Sequence, residues 1–226
     1  MDQKKKFSIN HMSYPILYSF KRCPYAMRAR MALYLAEIKC EIREIRLSNK
    51  PEQMLELSPK GTVPVLILED KIIDESYDIV NWVIEESNIF DNNLETEQIE
   101  LTESLIKKFD DEFKHHLDRY KYATRYENTD SDFHRAECLK ILVDLEATAS
   151  NNKWIFGENL NKLDISILPF IRQFRIANPE WFDSLEEISR IKKILNNYLD
   201  SEEFKKIMFK YDEWELGAKP VYFPST

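Results

Sequence analysis

The chain has 226 residues, 43% hydrophobic and 32% charged, which supports one large domain or two small ones with real cores and excludes wholesale disorder. Its three glycines, Gly61, Gly157 and Gly217, are too few for glycine-rich phosphate loops or a turn-dense all-β fold. A net charge of −8 argues against nucleic acid as a partner, and no apolar run approaches the ~20 residues of a membrane span.

Residues 1–12 are polar, with Lys4, Lys5 and Lys6 in a row, and read as a solvated, flexible tail without the apolar stretch of a secretory signal. A first short strand is expected over residues 15–20. A two-residue turn leads to Cys23, and a helix is predicted over residues 24–38, rich in alanine, methionine, leucine and arginine. Pro24 suits its first position, where a backbone N–H has no intrahelical partner to lose. A second strand over 40–47 follows, then a loop with a short helical piece. "TVPVLIL" and "KIID" give two strands joined by a turn at Glu69 and Asp70, and a helix runs over 74–86. The order β-α-β-(α)-β-β-α is that of a thioredoxin-like domain.

Beyond residue 91 helical periodicity takes over. Leu101, Leu105, Phe109, Phe113, Leu117 and Tyr120 recur every three or four residues, one apolar stripe on a long helix. A second helix near 131–149 carries Phe133, Ala136, Leu139, Leu142 and Val143. A third begins at "LNKLDISILPF": Asn161 can cap it, Asp164 can reach back to the cap's N–H, and Leu160 and Ile165 are spaced as a hydrophobic staple. Two more helices are expected near 184–199 and 201–210, before a tail from Tyr211. The expected organisation is a tail over 1–12, a thioredoxin-like domain over 13–88, a linker near 86–95 and an all-helical domain over 94–226.

Cys23 carries the chemistry. It stands where a helix leaves its first N–H groups without partners, and those donors, the helix dipole, Lys21 and Arg22 all favour a thiolate. An ordinary thiol of pKa ~8.5 is only ~3% ionised at pH 7. Lowering the pKa gains little in attack, because nucleophilicity falls with it, but a low-pKa sulfur leaves a mixed disulfide faster. Ala26, three residues on, removes the possibility of a C-x-x-C pair, so an external thiol must resolve that disulfide. Glutathione is the abundant candidate in a reducing cytoplasm. Such a compartment suits three widely spaced cysteines, Cys23, Cys40 and Cys138, better than a disulfide framework does. The alternative for Cys23 is a structural cysteine that happens to precede a helix.

"CPYAMRARMAL", "KGTVPVL", "DESYDIV" and "NKLDISILPF", in that order, resemble the glutathione S-transferase superfamily over nearly the whole chain after residue 14. The first motif is glutaredoxin-like, and "NKPEQ" at 49–53 is similar to the omega-class segment after the second strand, so the resemblance is to a cysteine-type, bacterial-type member. It implies a thioredoxin-like N-terminal domain followed by a helical C-terminal domain, a homodimer, and glutathione as co-substrate with no metal. It also implies that Cys23 faces the glutathione sulfur beside Tyr25. Val63, through a cis bond to Pro64, would offer its backbone to the cysteinyl part. Glu75 and Ser76 would hold the γ-glutamyl group and Lys50 the glycine carboxylate. Glu75 and Ser76 also read as simple helix N-terminal residues, and Lys50 as a solvated loop charge.

Other residues are weaker candidates. Ser13, Tyr14, Tyr18 and Ser19 lie where serine- or tyrosine-type transferases keep the hydroxyl that stabilises a glutathione thiolate. Arg119, Tyr120, Tyr122 and Arg125 end the long helix and, with Trp214 in the tail, are placed by the resemblance at a second-substrate pocket; snorkelling at a helix end explains the arginines equally. Cys40 and Cys138 read as small buried hydrophobes. His134 shares a helix face with Cys138, and His115 adjoins His116, but neither pair brings a full ligand set. The expected function is a glutathione-dependent thiol transferase or reductase working through an enzyme–glutathione mixed disulfide. The rivals are a transferase that conjugates glutathione to small electrophiles and a non-catalytic binding or regulatory protein. For the latter, Arg28 and Arg30 make membrane insertion of the first helix costly.

Overall fold

A computed structural model describes residues 14–90 and 94–224; the expected tail over 1–12 and Ser13 lie outside the described residues. Strand β1 (Ile16–Ser19) pairs in parallel with β2 (Cys40–Glu44), Ile16 facing Glu41, and antiparallel with β3 (Val65–Ile67), which pairs antiparallel with β4 (Ile72–Ile73). Helices α1 (Pro24–Leu35), α2 (Glu52–Leu57) and α3 (Ser76–Ser87) connect or follow them. In β2 the side chains of Cys40, Ile42 and Glu44 turn inward while Glu41 and Arg43 stay half-exposed, the period of a one-sided strand. Every residue of β3 is buried, as its unbroken apolar run requires.

Helix α1 stops at Leu35, three residues before the predicted end. Glu37 takes a left-handed φ of 55°, and its N–H donates to the Tyr34 carbonyl while that of Ile38 donates to Leu33. That pattern closes the last turn and turns the chain toward β2. The tail also departs from expectation. Tyr222 and Phe223 form a short strand, β5, antiparallel to β2, so the sheet order is β4-β3-β1-β2-β5. The chain divides into one compact unit running to Glu85 and resuming at Ile207, and a second of Glu86–Lys206. The tail, expected within the helical domain over 94–226, therefore lies with the thioredoxin-like unit.

The second unit is helical. Helix α4 (Thr96–Lys108) continues through a π-helical turn (Phe109–Phe113) into α5 (Lys114–Lys121). Phe109, Phe113 and Leu117 are all buried at four-residue spacing, which overshoots a regular α-turn by about 40° per step. The wider turn compensates, and the Phe109 and Phe113 rings stack at 4.5 Å. Helix α6 (Ser131–Thr148) buries Cys138, Ile141, Leu142 and Leu145, of which Leu142 alone is among the apolar residues expected on it. Phe133 and Val143 remain 52% and 40% exposed, because the face turned to α5 and to a later helix is one phase round.

Helix α7 (Lys162–Ala177) is buried nearly all round and carries the predicted cap. Asn161 Oδ1 accepts from the N–H groups of Leu163 and Asp164, and Asp164 Oδ2 accepts from Asn161 N–H at 3.0 Å. Asp164 Oδ1 also accepts from the distant Ile155 N–H at 3.0 Å. Burial pushes the Asp164 carboxyl up to about 7, against those two donors. Helices α8 (Pro179–Ser184), α9 (Ser189–Asp200) and α10 (Glu202–Ile207) complete the element order. Among the described residues no helix is long and apolar enough to cross a membrane.

Candidate functional site

Cys23 is the N-cap of α1. Its N–H donates to the Phe20 carbonyl at 2.9 Å, closing the turn after β1, and its carbonyl accepts the first helical bond from Met27. The thiol is half-buried, and Sγ lies 3.6 Å from the carbonyl oxygen of Val63. The Val63–Pro64 bond is cis. Thus the two sequence motifs 40 residues apart meet, with the sulfur beside the Val63 carbonyl and at the positive end of a helix. Cys40 and Cys138 are fully buried, and burial pushes both thiols far above the ordinary range.

The loop before Cys23 is gripped from behind. Arg30, wholly buried within α1, donates from Nη2 to the carbonyls of Lys21 at 2.7 Å and Phe20 at 3.4 Å, and its Nη1 lies 3.8 Å from the Glu44 carboxylate. Glu44 in turn accepts from the Lys21 N–H. Burial raises the Glu44 carboxyl, while the Lys21 N–H and the Arg30 guanidinium lower it. Arg22 turns its guanidinium over the Phe20 ring, 5.3 Å from the centroid.

Arg28, also fully buried, joins two predicted ligand residues: its guanidinium carbon sits 5.5 Å from the Tyr25 ring centroid and its Nη1 donates to Ser76 Oγ at 3.5 Å. Ser76 is buried at the first turn of α3. Glu75 beside it is exposed and ion-paired with Lys60, a partner the sequence reading missed. Lys50 is exposed, and its ammonium would lie 3.5 Å from a Cβ at Gly61. Sequence reasoning treated Arg28 and Arg30 only as a barrier to membrane insertion. The signal was there, two arginines in a run of alanines and methionines with no polar face of their own.

Of the described hydroxyl candidates, the two tyrosines are engaged by other side chains. Tyr18 is buried, and its hydroxyl accepts from Arg43 at 2.7 Å. Burial raises its phenol while the Arg43 guanidinium pulls it down. Tyr14 packs edge-on against Tyr222 at 5.2 Å beneath the Lys39 ammonium. Ser19 is buried, and among the described residues its Oγ has no hydrogen-bond partner.

Residues 17–89 match the family described as glutathione S-transferase, N-terminal domain. A glutathione transferase from Pseudomonas putida, solved with one glutathione disulfide bound per subunit, shares the fold at a TM-score of 0.76 and 16% identity, over 90% of this chain and 94% of that one. The chain has the glutathione S-transferase fold, and its N-terminal domain matches that family. A relative of this transferase-fold protein is the probable glutathione S-transferase parA of Nicotiana tabacum, 28% identical over 165 residues, 70% of this chain and 72% of that one. Glutathione S-transferase omega-1 of Mus musculus is 46% identical over 50 residues, 22% of this chain and 21% of that one.

In this transferase-fold protein the residues expected at a second-substrate pocket fall in both units. Trp214 lies in the first: its N–H donates to the Glu44 carbonyl at 2.8 Å, its ring meets Tyr18 edge-on at 5.9 Å, and the Arg43 guanidinium covers it at 4.5 Å. Arg119, Tyr120 and Tyr122 lie in the second. Arg119 donates to His115 Nδ1 at 3.0 Å and stacks on Tyr126. Tyr120 meets Phe174 edge-on, and Tyr122 ends α5 under the Arg125 guanidinium.

Proposed function

We propose that the protein is a glutathione-dependent thiol transferase or reductase of the cysteine type, with Cys23 as its nucleophile. The observation that supports this reading most is a half-buried thiol at the N-terminus of α1, 3.6 Å from the Val63 carbonyl next to a cis proline, with alanine rather than cysteine at 26. The Cys23 thiolate attacks the glutathione sulfur of a glutathionylated substrate. The substrate's sulfur leaves as a thiolate and takes a proton, and Cys23 is left as a mixed disulfide with glutathione. A second glutathione thiolate attacks that disulfide, releasing glutathione disulfide and restoring Cys23. The two remaining cysteines are buried, which favours glutathione over an internal resolving thiol.

In this reading Val63 supplies backbone hydrogen bonds to the cysteinyl part of glutathione, held at its edge by Pro64, and Tyr25 borders the sulfur. Ser76 and the α3 N-terminus take the γ-glutamyl carboxylate, with Arg28 adding positive charge behind Ser76. Glu75 takes the ligand's ammonium in exchange for Lys60, and Lys50 takes the glycine carboxylate. Arg119, Tyr120 and Tyr122 in the helical unit serve the second substrate. The working form is a homodimer in the cytoplasm.

The test sets hydroxyethyl disulfide reduction beside conjugation of chlorodinitrobenzene, each with glutathione. The wild-type protein should reduce the disulfide and Cys23→Ser should not. Conjugation that exceeds disulfide reduction and survives Cys23→Ser would overturn the proposal in favour of the conjugating alternative. Inactivity in both assays, with no retention on immobilised glutathione, would favour a non-catalytic role.

A further inference from the structure

The second unit carries a cluster that the glutathione reading does not use. His115 and His116 lie in the first turn of α5, and His134 lies in the first turn of α6. One ring nitrogen from each falls within 4.8 Å of the others. The ring centroids are 5.0 Å apart for His115 and His116, 5.0 Å for His116 and His134, and 5.9 Å for His115 and His134. His116 Nδ1 and His134 Nδ1 are 2.7 Å apart, close enough that one must donate and the other accept.

We propose that His115, His116 and His134 form a binding site for a single divalent transition-metal ion of the zinc class. Three imidazoles converging from two helices are the donor set such ions prefer, and an ion held by them keeps an open position for water. At a metal–nitrogen distance of ~2.0–2.1 Å, tetrahedral ligands stand about 3.4 Å apart. The His116–His134 pair must therefore open by well under an ångström, and the remaining separations, all within 4.8 Å, must close by no more than about 1.4 Å. Both are within reach of side-chain rotation, since His115 is exposed and the other two are half-exposed. On binding through both Nδ1 atoms, the imidazole that now donates moves its proton to Nε2.

The surroundings supply the remaining electrostatics. Burial, then the neighbouring cationic groups, hold His116 and His134 below the ordinary histidine value. Neutral imidazole is the form that ligates. Glu137 acts electrostatically on both rings and Asp130 on His134, Glu137 while paired with Lys140 and Asp130 while capping α6. Arg119 opposes a dication: the guanidinium stacks on the Tyr126 ring at 4.6 Å while donating to His115 Nδ1 at 3.0 Å, a bond that a metal on that nitrogen would have to replace. Phe133 closes one side, edge-on to His116 and His134. A metal here would tie α5 to α6 across the segment 122–130 that joins them.

The experiment uses the full chain without a histidine tag, in a Cys23→Ser background so that the thiol cannot bind the metal. Calorimetric titration with Zn2+ should show one equivalent bound, and Co2+ should give visible ligand-field bands without a thiolate charge-transfer band. His116→Gln and His134→Gln should each weaken Zn2+ at least as much as the ~10–100-fold that losing an outer partner of a metal ligand costs. Zn2+ at a large excess over its dissociation constant should raise the thermal midpoint of the parent by several degrees and raise that of those variants clearly less. Circular dichroism of the variants, whose replaced rings are at least half-exposed, checks that they remain folded. If the parent binds Zn2+ no better than the folded His116→Gln/His134→Gln double variant, the histidines are a hydrogen-bonded ring cluster only, and the proposal fails.

Discussion

Replacing Asp164 with alanine removes two acceptors at once. The carboxylate takes the N–H of Asn161 on one oxygen and that of Ile155 on the other, both at 3.0 Å and both buried. Each buried N–H left without a partner costs about 1–3 kcal/mol, so the pair costs about 4 kcal/mol, well above the ~1 kcal/mol of an ordinary exposed cap. For a chain of this size that lowers the thermal midpoint by roughly 8–16 °C. Asp164→Asn should lie between, because its amide can accept one of the two N–H groups and opposes the other with its own NH2. Circular dichroism melts at several pH values give a second reading. The folded carboxyl titrates at about 7 against an ordinary 3.8, so the folded chain binds an extra proton between those values. Stability from this group therefore falls as pH rises from about 4 to about 7 and is level above that, and Asp164→Asn should remove this fall. Disulfide reduction per folded molecule should be unchanged. An Asp164→Ala midpoint within about 2 °C of wild type would refute the reasoning, and full stability with lost activity would make the carboxylate a functional group.

Three further outcomes follow from the site. Iodoacetamide on the folded protein should modify Cys23 alone, with Cys40 and Cys138 reacting only in denaturant, because both are fully buried; mass spectrometry of the peptides decides, and labelling of either buried thiol at a rate like that of Cys23 counts against it. Ser76→Ala should weaken retention on immobilised glutathione about tenfold, the size of one hydrogen bond to a charged group, while Cys23 alkylation is unchanged; equal retention by the folded variant removes Ser76 from the ligand site. Glu44→Ala takes the acceptor from the Lys21 N–H and the carboxylate from buried Arg30, a loss on the order of 3 kcal/mol. Its peptide around residues 19–23 should exchange amide hydrogen faster, and unaltered protection there would show that the Arg30–Glu44 pair does not hold the loop.

Sequence by itself determined what depends on near neighbours. Pro24 at a first helical position, the Asn161–Asp164 cap, the two-residue turn before Cys23 and the strand and helix order up to residue 87 are each governed by residues a few positions apart. The meeting of Cys23 with Val63 came from the resemblance of two short motifs, not from periodicity. Only the tertiary structure decided where distant side chains close on one another. The tail strand β5 has just two residues, too few to show a period, and exists because β2 offers it an edge. The buried face of α6 is not legible in its sequence, because several apolar stripes fit it and the helices packed against it select one. Arg28 reaches Ser76 across 48 positions, Arg30 finds Glu44 on another element, and His134 joins His115 and His116 from a separate helix. A buried charge must find its counterpart wherever the fold provides one, and that partner need leave no mark in the sequence around the charge.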